Sequence, residues 1–132
     1  MPIIATDTLR TSNLVKYEFM PSTEHCHDAV VVNEATTKTY AVGTVLGRVT
    51  AGGKLKIAVE TAVDGSKTPA AIVLDDYSIA ATTDTTVKVI NRGPAGISKG
   101  ALLLDATYND ATKLATAYAA IEALGIKVLD TV

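Results

Sequence analysis

"GTVLGRVTAGGKLKIAVE", residues 43–60, decides the fold of this chain. Ala51, Gly52 and Gly53 interrupt two β-branched runs, and glycine accepts the positive φ angles that a tight hairpin requires. After the interruption Leu55, Ile57 and Val59 alternate with Lys54, Lys56 and Glu60, the period of a half-buried strand. The stretch therefore predicts a β-hairpin with one face toward a core. Similar signals lie on both sides. "DAVVVNE" (28–34) is a β-branched run closed by Asn33, and "AAIVLDD" (70–76) is a buried strand that follows the turn residues of "DGSKTP" (64–69). "TTVKVINRGPAG" (85–96) predicts a strand ended by Arg92, Gly93 and Pro94, and "ALLLD" (101–105) a short strand or extended piece.

One helix is expected, over about 110–124 within "NDATKLATAYAAIEALG". Asn109 or Asp110 can cap its first turn, and Gly125 stands where a left-handed C-terminal residue belongs. Leu114, Tyr118 and Ile121 form an apolar stripe, while Ala115, Ala119 and Ala123 lie on an opposite face small enough to approach a second surface. "IKVLD" then returns as a last strand. Before residue 22 the apolar residues keep no period, and Pro2 and Pro21 bracket the segment. The expected organisation is an extended N-terminal arm, 1–22, and a single mainly β domain, 23–132, with one C-terminal helix.

A chain of 132 residues can bury one core unaided. The lone Cys26 excludes an intrachain disulfide, and neither a signal-peptide layout nor an apolar run of the ~18 residues that span a membrane is visible. The expectation is a soluble protein made without secretion. A net charge of −2 and a pI near 5.6 speak against nucleic acid as a partner. Aromatics at 5% and no tryptophan leave little material for the walls of a ligand pocket.

Candidate chemistry is correspondingly thin. "EHCHD" (24–28) gathers both histidines and the cysteine, but a mononuclear zinc site draws three or four ligands, usually from two clusters, and no second cluster exists. In an extended strand His25 and His27 share one face and Cys26 takes the other, so the reading is surface-strand residues rather than a thiol–base pair. "GRVTAGGKL" (47–55) departs from a phosphate-binding loop at Arg48 and Leu55 and reads as the hairpin. Asp75 and Asp76 in "LDDY" would point to opposite faces of a strand and read as a strand-ending turn. No catalytic, cofactor-binding or metal-binding residue is expected.

"KYE" (16–18), the β-branched strand after it, "GTVLGRVT" (43–50), "DGSKTPAAIVLDD" (64–76), "VINRGPA" (89–95) and a C-terminal helix closing on "ALGIKVLD" (123–130) together resemble the head decoration proteins of tailed bacteriophages, the lambdoid decoration-protein family. The similarity runs from about residue 16 to the end, and its specificity lies in the order and spacing of the set. It implies a small sandwich- or barrel-like domain of the β-tulip type. It also implies a structural, non-enzymatic virion protein, made in the bacterial host cytoplasm, that binds the major capsid protein as a homotrimer. The sites implied are the three-fold and quasi-three-fold positions on the outside of the expanded head. On that reading the arm binds the capsid, with Leu14, Val15, Lys16, Tyr17, Glu18 and Phe19 alternating well enough to add a strand to an exposed sheet edge. His25, Cys26 and His27 depart from the family's pattern and inherit no role, though three copies of a histidine near a trimer axis could converge. The alternative is a small β binding module whose glycine-rich hairpin and 64–69 loop present a surface to a ligand such as a glycan.

Overall fold

The computed structural model describes residues 14–18 and 26–129. The quoted stretch is a hairpin: β4 (Val45–Arg48) pairs antiparallel with β5 (Leu55–Ile57), Leu46 opposite Ile57 and Arg48 opposite Leu55. Gly52 and Gly53 turn it at φ +90 and +74, and Arg48 Nη1 donates to the Gly53 carbonyl at 2.7 Å. The expected strands are present as β2 (His27–Val32), β6 (Pro69–Val73), β8 (Thr85–Ile90) and β10 (Ile126–Leu129). Strands β2, β5, β4, β6 and β8 close a barrel in that order, with β2 antiparallel to β8 along its whole length and joined to β5 by the parallel pair Val32 and Leu55.

Three strands, β3 (Lys38–Tyr40), β7 (Tyr77–Ile79) and β9 (Ala95–Ser98), escaped the periodicity as read. β3 and β7 form a two-stranded sheet, and β9 sits between β1 (Val15–Glu18) and β10 in a third sheet. β1 lies inside the segment expected to be an extended arm. It runs antiparallel to β9, and Leu14 just before it is fully buried, so residues 14–18 pack onto the rest of the fold. Of the strand or extended piece expected at "ALLLD", the structure has the extended piece: its first residue ends a 3-10 turn (Lys99–Ala101), Leu102 is extended, and Leu103 makes a single bridge, to Thr44.

The helix α1 spans Ala111–Glu122, and Asp110 caps it by accepting from the Lys113 N–H at 2.8 Å. Its buried residues are Ala117 and Ile121, with Leu114 partly buried beside them. Tyr118, expected in that stripe, instead lies beneath Lys99 Nζ, 5.1 Å from the ring centre. A helix face set against a curved wall admits a small residue where the wall comes closest, which favours Ala117 over a phenol one position on.

Two hydrophobic cores result. Inside the barrel lie Val30, Val32, Leu46, Leu55, Ala71, Val73, Val87 and Val89, together with Tyr40 and Ile79 from the two-stranded sheet. Between the barrel wall, the three-stranded sheet and α1 lie Leu14, Val45, Ile72, Ile90, Ile97, Ile121 and Ile126. Neighbours along one strand serve different cores: Ala71 and Val73 face the barrel interior and Ile72 faces outward to the helix.

Beside the barrel core lies a buried polar contact with large consequences. Glu34 is 4% exposed, and its Oε2 accepts from the Tyr40 hydroxyl and from the Ile57 N–H at 2.8 Å. Burial, with Glu34 beside it, holds the Tyr40 phenol protonated well above its ordinary range. Tyr40→Phe removes the donor and leaves the carboxylate buried, so it is expected to cost about 1.5–3 kcal/mol, the range for hydrogen bonds to charged groups. Denaturant melts of the two proteins measure this directly.

Candidate assembly surface

The described residues give the sequence's chemical candidates structural rather than reactive surroundings. Cys26 is fully buried in the outer core, its Sγ 3.5 Å from the Pro94 carbonyl, which corrects the surface reading of that residue. His27 faces the other way, as the strand alternation required, and its Nε2 is 2.6 Å from Glu18 Oε2. That pair ties β1 to the barrel, and Arg92 reinforces the junction by donating from Nη2 to the His27 carbonyl at 3.2 Å. His25 and Phe19 lie outside the described residues. Among those described, no group of three or more His, Cys, Asp or Glu is placed to hold a metal ion.

Asp75 and Asp76 sit in the turn between β6 and β7 and serve backbone N–H groups: Asp75 accepts from Asp76 at 2.8 Å, Asp76 from Val42 at 3.2 Å. Asp64 organises the 64–69 loop in the same way. It accepts from the hydroxyl and N–H of Ser66 and pairs with Lys56 at 3.1 Å, and these contacts hold its carboxyl well below the usual range. The arrangement shapes loops; it assembles no nucleophile, base and orienting group.

What the surface does offer is contact area. β1 ends its sheet, so its outer edge carries backbone groups suited to another strand. Ala115 and Ala119 on α1 and Ala123 at its C-cap are all exposed, the small face the helix pattern predicted. Val31, Leu103 and Val63 are exposed large apolar residues, Val63 completely so. A groove of about 200 Å³ lies between α1, Tyr108 and the residues Glu60, Lys67 and Pro69. Sequence reading missed both Val63 and the groove. Val63 carried a usable signal, a β-branched residue inside a loop of turn formers; the groove carried none, since its walls come from segments far apart in the chain. No helix among the described residues is long and apolar enough to cross a membrane.

A family model described as Bacteriophage lambda head decoration protein D matches residues 4–126. The match begins upstream of the residue-16 limit read from the sequence and takes in most of the segment before β1. No curated protein matches the chain.

Proposed function

This chain belongs to the bacteriophage lambda head decoration protein D family, and from that membership we propose that it cements the expanded phage head. The family is a structural one of the phage capsid, not an enzyme class, and it places the chain at the capsid surface. In the proposed reading three copies bind as a homotrimer to the outer surface at three-fold and quasi-three-fold positions, against the major capsid protein. Contacts available only in the expanded lattice stabilise that lattice by mass action, which opposes the outward load of packaged DNA. Three attachments on one trimer reinforce each other, because the first raises the effective concentration of the rest.

The observation that carries this reading is the extent of the family match, which covers the domain up to the first residue of β10 and most of the segment leading into it. The whole arm, residues 1–22 with Leu14–Phe19 inside it, is the proposed capsid contact, and β1 at the sheet's edge supports strand addition there. The test is co-sedimentation with expanded heads. Removing residues 1–13 keeps Leu14 and β1, so the shortened protein is expected to melt as the full chain does yet lose attachment. Undiminished sedimentation of that protein would exclude a role for the first thirteen residues. Removing 1–22 is not an equivalent test, because it takes Leu14 out of the core and strips β9 of one of its two partners.

A further inference from the structure

We propose that Val63 of one copy seats in the groove between α1 and residues Glu60, Lys67 and Pro69 of the next copy, so that the chain joins its own kind through a knob and a hole. The inference rests on the reading of decoration by an assembly of copies and supplies the contact that builds it. Val63 is fully exposed, and nothing among the described residues covers it. A β-branched side chain has little rotamer freedom to lose. The loop that carries it is fixed on both sides: the Ala62 N–H donates to the Val59 carbonyl at 3.0 Å, and the Thr50 N–H donates to the Asp64 carbonyl at 2.8 Å. A rigid apolar knob loses little entropy when it is covered.

The groove has the matching character. Pro69, Tyr108, Ala117 and Ala120 line it with apolar surface, and the Tyr108 hydroxyl is turned away to the Lys67 carbonyl at 2.5 Å. On its rim Lys67 and Lys113 flank the single carboxylate of Glu60 at 3.6 and 3.9 Å, leaving positive charge in excess. Asp64, next to the knob and held ionised by Ser66 and Lys56, brings a carboxylate toward that rim. Knob and groove are different patches of one surface, so the contact is head-to-tail and a rotation can close it into a ring.

The test uses the full chain with Val63→Cys and Thr116→Cys, Thr116 being an exposed residue of the groove wall. Native Cys26 is buried and serves as a silent background. A short bismaleimide linker is added to the protein bound to expanded heads, and covalent oligomers are read on a denaturing gel. Expected is a yield in the double variant at least about tenfold above either single variant, together with Val63→Asp that melts as the parent but self-associates at least about tenfold more weakly. A double variant that decorates heads without cross-linking overturns the knob-and-groove contact and leaves the decoration reading standing. Cross-linking by Val63→Cys alone overturns it in favour of a two-fold contact between knobs. Failure of the parent protein to bind heads removes the decoration reading and this contact with it.

Discussion

Ile121→Ala is expected to destabilise the domain by about 2–5 kcal/mol, the range for removing a large aliphatic side chain from a packed core. Ile121 is fully buried, on the helix face that packs against the outer side of β6 and against β10. The outer core it belongs to is built on elements that cannot all close in: Ile72 is fixed by a barrel strand, Ile126 by the parallel pairing of β10 with β9, and Leu14 by the strand after it. The lost volume therefore remains as a cavity. Against a total stability of about 5–15 kcal/mol, the melting temperature should fall by several degrees or more. Glu122→Ala, at the exposed next position, is the control and should shift it little. Equal melting of Ile121→Ala and the parent would mean that the helix is not anchored to the barrel through this residue.

Gly47→Ala is expected to cost as much from the addition of a single methyl group. Gly47 lies in β4 between Lys56 on β5 and Pro69 on β6, and the carbonyl of Ser66 crosses directly over it. A Cβ there would come within 2.6 Å of the Ser66 carbonyl carbon and 2.8 Å of its Cα, and would overlap its oxygen. The obstacle is backbone, so no rotamer change relieves it. Nor can the loop simply lift, because Ser66 is fully buried and its hydroxyl and N–H are both bonded to Asp64. Overpacking costs about 1–3 kcal/mol where side chains can adjust, and this site should lie at the upper end or beyond. Gly52→Ala makes the contrast, since open space surrounds that position and only its φ of +90 opposes a side chain. Melting of all three proteins separates the steric cost from the conformational one, and a Gly47→Ala protein no less stable than Gly52→Ala would contradict the packing described.

By itself the sequence determined those features whose causes are local. Glycines between alternating runs specified the β4–β5 hairpin, Asp110 and Gly125 bounded the helix, and the alternation of His27 with Cys26 set those side chains on opposite faces. The poverty in aromatic residues was equally plain. The tertiary structure alone decided what each face meets. Along β6 the residues Ala71, Ile72 and Val73 are all apolar, because one side fills the barrel and the other receives α1; a strand buried on both faces loses the alternation that would tell them apart. β3 and β7 are three residues each, too short for a period, and exist because Lys38 to Tyr40 meet Tyr77 to Ile79 from far along the chain. β1 looked like a free arm because its partner, β9, is supplied from Ala95 onward and its anchor, Leu14, is one apolar residue among an irregular run. Pairing and burial across such distances depend on where the rest of the chain has gone, and no local pattern carries that information.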